Sequence, residues 1–220
     1  MNEKYIKMKT ALLGLFVFFA GITCFAQELE FSGSLNTSSE KRFQNARGIG
    51  LQYQHNIGSK FKVGLGIHYN FNNVQFDEIP YVDGDPDLII AEKIHSKSKR
   101  FSIRLNIQWL LKNNENASIS LGPEISYNYL WGQDQIEERQ GQTSNRFNYI
   151  QNNGLTKELG LGLISKIEIK NFISPRLSLC FTVRPEIVTD GVFAMGGNPV
   201  FSGASGFTEF QIGLRYGFRK

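Results

Sequence analysis

The chain has 220 residues, with 22 Gly, 18 Phe, only 6 Pro and a formal net charge of +4. That length suits one domain, and a mean hydropathy of −0.25 excludes a bundle of membrane-crossing helices. Part of the charge belongs to a leader. Lys4, Lys7 and Lys9 precede one apolar run, residues 11–26, which ends in Ala26. A basic start, an apolar stretch and a small residue at its end form a secretory signal peptide, expected over residues 1–26. The run falls short of the about 20 apolar residues that a spanning helix needs. Thr23 precedes Cys24 where a lipid-attachment signal wants Gly or Ala. Cleavage after Ala26 leaves residues 27–220 as one domain. Losing Glu3, Lys4, Lys7 and Lys9 lowers the net charge from +4 to +2, too little to point to nucleic acid. Cys180 is then the one remaining cysteine, so no intrachain disulfide is expected.

After the leader, apolar residues recur at every second position, the period of strands. In chain order the runs are Leu29 to Leu35, Ile49 to His55, Phe61 to Phe71, Phe101 to Trp109, Ala117 to Trp131, Leu159 to Ile169, Leu177 to Ile187 and Phe210 to Phe218. Eight runs are separated alternately by short turns and long segments. Residues 56–60, 112–116 and 170–175 are expected as turns; residues 36–48, 72–99, 132–156 and 189–206 are expected as loops. Short turns at one end and long loops at the other define an outer-membrane barrel. The predicted fold is all-β, an eight-stranded antiparallel transmembrane up-and-down barrel. Pro123 and Pro185 fall inside strands, where local bulges are expected.

Alternation alone would also suit a soluble lipocalin-like barrel. Volume and charge decide the orientation. Eight strands enclose an interior barely wide enough for side chains, and the face holding Trp109, Tyr127, Tyr129 and Trp131 would not fit. The opposite face holds Gly64, Gly66, Gly122, Gly160, Gly162, Gly213, Ser118, Ser120 and Asn106, which would. On the apolar face only Lys99 and Lys157, at the loop-side rim, are charged. The polar face carries Glu30, Glu124, Glu158, Glu168, Glu186 and Glu209 against Lys62, Arg100, Arg104, Lys166, Arg184 and Arg215. Buried charges must be paired, so a lumen ion-pair network is expected, centred on Glu30, Arg104, Glu124, Lys166, Arg184, Glu186 and Arg215. If Leu111 faces Ala117 across the turn, Arg104 lies opposite Glu124. Closure of the last strand on the first would bring Arg215 near Glu30. Aromatic residues collect at strand ends, as interfacial girdles do.

The closing stretch, Gln211, Gly213, Tyr216 and Phe218, resembles the assembly signal of bacterial outer-membrane barrels, departing from it only in the trailing Arg219 and Lys220. The mature chain as a whole resembles the small OmpX-like and OmpA-like barrels of the porin family. That resemblance implies insertion by the barrel-assembly machinery and residence among outer-membrane lipids. Activities vary widely within such a fold.

Chemistry-bearing motifs are sparse. Asp83, Asp85 and Asp87 alternate as in calcium loops, but the later bidentate Glu is missing. His95 lies near Ser96 and Ser98, yet parity places it on the face of Lys97, away from both hydroxyls; a nucleophile needs its base within reach. His55 and His68 lie on different faces, so no metal cluster forms, and no cofactor is expected. Phe193, Met195, Val200 and Phe201 make the last loop apolar, suited either to contacting a partner or to capping the lumen. The expectation is a monomeric, non-catalytic barrel with a plugged lumen, whose exterior loops bind a surface, protein or host ligand. The alternatives are a narrow solute channel or carrier, and a lipid-modifying enzyme.

Overall fold

The computed structural model describes residues 28–39, 41–78, 90–140, 146–190 and 204–218. The leader, the alternating aspartates at 83–87, the apolar residues of 193–201 and the terminal Arg219 and Lys220 lie outside the described residues. Eight antiparallel strands close into a ring in sequence order. They are β1 (Glu28–Ser38), β2 (Ala46–Ile57), β3 (Phe61–Glu78), β4 (Ile90–Asn113), β5 (Ala117–Gln140), β6 (Arg146–Ile169), β7 (Leu177–Asp190) and β8 (Ala204–Gly217). β8 closes on β1 from Glu28↔Gly217 to Ser38↔Phe207, so every barrel strand has two neighbours and no edge remains at the seam.

The apolar rows point outwards. Phe31 is 59 % exposed and Ile212 60 %, whereas Arg100 and Arg104 are at most 1 % exposed. On β3 the outward apolar positions run from Phe61 to Phe71. Ten residues rise about 33 Å along the strand, or about 25 Å vertically at a tilt near 40°, the height of a barrel's hydrocarbon band. Girdles mark both ends. Phe61 meets Trp109 at 5.8 Å and Tyr216 meets Phe218 at 5.2 Å on the short-turn side. On the other side Tyr69 meets Trp131 at 6.2 Å, and Tyr127 meets Tyr129 at 5.0 Å.

Three expectations need correction. First, residues 72–78, 90–99, 132–140 and 146–156 are strand, not loop. β3 to β6 continue as a four-stranded sheet beyond the barrel. Apolar alternation stops where a strand leaves hydrocarbon, because the outward face then meets water while polar Ser96, Ser98 and Asp134 are among the buried inward residues, so the hydropathy pattern ends before the strand does. Second, Arg104 faces Ser126, while Glu124 faces Asn106. β4 runs on to Asn113, where the Asn114 side chain accepts from the amides of Asn116 and Ala117. With the register shift between Leu110 and Lys112, this moves the pairing by two residues at Arg104. Third, neither proline makes a bulge. Pro123 pairs with Leu163 and Pro185 with Thr208. On their other sides the ladder lapses, between Asn106↔Glu124 and Trp109↔Leu121 and between Gly162↔Glu186 and Ser165↔Val183, then resumes in the same register. A missing N–H deletes rungs on one side without adding a residue.

The backbone beside Pro123 leaves no room for a side chain at Gly122. A Cβ there would stand 1.7 Å from the Ile107 carbonyl oxygen. Gly122→Ala is therefore expected to lower the unfolding free energy of the barrel by roughly 1–3 kcal/mol or more, seen as a lower urea midpoint. Gly33→Ala, with nothing within 4 Å of its added carbon, is the control expected to leave the midpoint unchanged.

Candidate functional site: a charged lumen beneath a projecting sheet

Because inward positions are every second residue, each strand delivers its polar side chains to one axis. Among the described residues, twelve of the lumen charges sort into two tiers of three acids and three bases, and Asp134 is buried farther out, in the extension of β5. The tier near the short turns holds Glu28, Glu30 and Glu168 with Lys62, Lys166 and Arg215. Lys62 lies 3.1 Å from Glu28 and 3.7 Å from Glu168. Arg215 pairs with Glu28 at 2.6 Å and also with Glu168. Although Arg215 stands directly across the strand pair from Glu30, the ion-pair partner of Glu30 is Lys166. Long side chains reach across the lumen to partners that strand pairing does not identify.

The second tier holds Glu124, Glu186 and Glu209 with Arg100, Arg104 and Arg184. Arg104 touches all three acids, Glu209 at 2.6 Å, Glu186 at 3.7 Å and Glu124 at 4.0 Å. Arg100 pairs with Glu186, and Arg184 with Glu124. Neutral groups complete the tier. Arg184 donates to Gln52 and Gln211, Ser126 donates to Glu186, and Gln211 lies 3.0 Å from the Nδ1 of His68. Equal numbers of opposite charges, each within reach of a partner, are what allow so many ions to leave water together. Glu158, counted on the lumen face, sits half-buried at the rim, opposite Asn128 and Asp190. Cys180 is fully buried in the lumen.

Above the second tier comes a lid that the charge pattern did not reveal. Phe43, Leu130, Val188 and Phe207 form a buried apolar cluster. Phe43 belongs to a single 3-10 turn, Lys41–Phe43, between β1 and β2, and its ring meets Phe207 edge-on at 5.7 Å. The Arg100 guanidinium lies 4.2 Å from the Phe207 ring centre, a cation–π contact joining lid and tier. Strand parity places Leu130, Val188 and Phe207 inward and was the available signal; Phe43, in a connection, had none.

The remaining predicted residues separate cleanly. Gln211 and Gly213 face the lumen, and Tyr216 faces outwards at the short-turn girdle. His95 points outwards, its Nε2 2.6 Å from Asn73 Oδ1, while Ser96 and Ser98 are buried on the opposite face and bonded to each other. Among the described residues no group of His, Cys, Asp and Glu is placed to hold a metal ion.

A closed ring with exposed Leu, Ile and Phe outside and paired charges inside is stable in only one solvent arrangement, hydrocarbon around it. No protein-family model matches the chain, and no curated protein matches its sequence significantly. Among solved structures it is similar to Neisserial surface protein A, with a TM-score of 0.53 over 87 % of this chain and 96 % of that one, at 11 % identity. The fold is that of the small eight-stranded outer-membrane barrels. Further similarities are to a major outer membrane protein of Thermus thermophilus (TM-score 0.47, 10 % identity, 87 % of this chain and 99 % of that one). The attachment invasion locus protein of Yersinia pestis also matches (0.45, 13 %, 87 % and 97 %). For an outer-membrane barrel the short turns face the periplasm and the long connections the exterior, an orientation that would place the sheet built by β3 to β6 outside the cell.

Proposed function

We propose that this outer-membrane barrel is a non-catalytic anchor that presents its projecting sheet to a surface, protein or host ligand. The observation that carries the reading is that no described strand pairs with the sheet's two edges. The β1–β2 connection nonetheless touches the β3 edge, through Lys41 on Phe76 and Asn72 on the Gln44 carbonyl. Pairing of β2 with β3 ends at Arg47↔Phe71, and pairing of β6 with β7 ends at Glu158↔Asp190. Beyond those rungs, residues 72–78 and 146–157 are paired on one side alone among the described residues. Such edges offer backbone donors and acceptors to an incoming extended segment. A channel is disfavoured by the two ion-pair tiers and the lid across the axis. A lipid-modifying activity is disfavoured by the opposite faces taken by His95 and the two serines.

The reading also makes the last strand, with Gln211, Gly213, Tyr216 and Phe218, the segment recognised by the assembly machinery, and the inserted protein a monomer. Its test is a trimmed protein in which short turns replace residues 74–96 and 134–151. Bacteria displaying it, with heat-modifiable gel migration retained, should lose adhesion to serum- or matrix-coated surfaces that the full chain supports. Equal adhesion by both forms refutes the role of the sheet. In planar bilayers the full chain should give no steady openings; sustained conductance would instead favour the channel.

A further inference from the structure

Two prolines interrupt the barrel wall in the same cross-strand row. Pro123 faces Leu163 on β6, and Pro185 faces Thr208 on β8, which in turn faces Thr37 on β1. The rung that would join Leu163 to Pro185 is absent, since that ladder lapses from Gly162↔Glu186 to Ser165↔Val183. The ladder from Pro185 to β8 is intact, so the donor that proline removes is the one aimed at β6. The Leu163 carbonyl is left without its ladder donor, and in hydrocarbon no water takes that place.

A hollow of about 630 Å³ lies over this lapse, within the range of sites that hold one small molecule, roughly 300–1,000 Å³. Its apolar half is Leu161, Leu163, Pro185 and Ile187; its polar half is Thr37, Ser39 and Thr208. Gly206 lies between the halves. Ile187 faces it from β7, and its amide donates to the Ser39 hydroxyl at 3.0 Å. A Cβ added at Gly206 would meet only that hydroxyl, at 3.9 Å, so the hollow is open above it. Among the described residues that line the hollow, Glu186 alone is charged, and its carboxylate is engaged in the lumen by Arg100 and Ser126. A phosphate or carboxylate would find no counter-charge here. A bare alkyl chain would cover the apolar half but bring no donor to the Leu163 carbonyl. An uncharged molecule with both a hydrocarbon body and hydroxyl groups meets every surface of the hollow.

We propose that this hollow binds one uncharged, hydroxyl-bearing amphiphile of the monoacylglycerol class. Its hydrocarbon lies on Leu161, Leu163 and Ile187, and its hydroxyls turn towards Thr37, Thr208 and the Leu163 carbonyl. The inference rests on the membrane orientation and not on what the sheet edges bind.

The test uses the full chain in phosphatidylcholine nanodiscs doped with monoolein, methyl oleate or oleic acid, which share one hydrocarbon chain. Native mass spectrometry of the released barrel counts the retained probe. Monoolein should be retained at least roughly ten-fold over methyl oleate, which brings no donor, and over oleate, which brings a charge. Gly206→Leu, which fills the hollow, should abolish that preference, and Thr208→Val should weaken monoolein retention roughly three- to ten-fold. Gly33→Leu is the control expected to keep full retention, since Gly33 is exposed elsewhere on β1 with nothing within 4 Å of an added carbon. Heat-modifiable gel migration shows which variants are folded. Equal retention of monoolein and methyl oleate by the unaltered chain, or unchanged retention by a folded Gly206→Leu or Thr208→Val variant, overturns the proposal. A chain that does not enter the discs overturns it together with the membrane orientation.

Discussion

Arg104→Met is expected to cost roughly 3–5 kcal/mol of folding stability, more than any other single replacement in the lumen. Arg104 is the hub of its tier, within 4.0 Å of Glu124, Glu186 and Glu209. Removing it leaves three carboxylates facing two guanidiniums where every member of the tier is at most 7 % exposed. Methionine fills similar volume, so the loss reports charge and not a cavity. Glu209 is the acid nearest to Arg104 and makes no other arginine pair among the described residues; its nearby partners are Gln211 at 2.8 Å and His68 at 3.7 Å. Arg104→Met combined with Glu209→Gln should therefore regain part of the stability, because the tier is neutral again. Urea unfolding in vesicles, followed by fluorescence of Trp109 and Trp131 on the outer face, measures both. A loss below about 1 kcal/mol would mean that the tier is hydrated and the lumen open.

Leu105→Arg should cost roughly 2–4 kcal/mol, and Leu111→Arg no more than about 1 kcal/mol. Leu105 is 52 % exposed and lies mid-strand, with Leu65 and Ile125 beside it. Leu111 is 67 % exposed but stands next to the short turn that follows β4. By exposure to solvent alone, Leu111 should tolerate a charge only slightly better than Leu105. A bilayer makes the difference large, since the cost of a cation on a barrel wall falls steeply from midplane to interface. The same unfolding assay reads the pair. Equal costs for the two variants would remove hydrocarbon from the outer wall and with it the membrane orientation.

Residues 29–35 and 210–218 illustrate how far pattern alone reaches. Alternation of large apolar with small or polar residues identified eight strands, their order, their two faces and the sign of the solvent outside. These are local properties, fixed by a side-chain period of two and by the volume that eight strands can enclose. Parity also placed many of the lumen ions on the inward face but passed over Glu28, which holds Lys62 and Arg215, because it stands before the first apolar position of its run.

Partner choice inside the lumen was decided by tertiary structure. Arg215 stands across from Glu30 yet binds Glu28 and Glu168, because a guanidinium at the end of a flexible stem spans the barrel and settles wherever opposite charge is densest. The register of β4 against β5 depended on how Asn114 tightened a turn, a matter of one side chain's hydrogen bonds. The height of β3 to β6 was hidden for a different reason. Hydropathy records the boundary of the lipid, whereas a strand continues as long as its backbone finds a neighbour, and that neighbour exists only once the sheet is assembled. The lid needed both kinds of information: parity turned Leu130, Val188 and Phe207 inwards, but only the folded β1–β2 connection brings Phe43 over them.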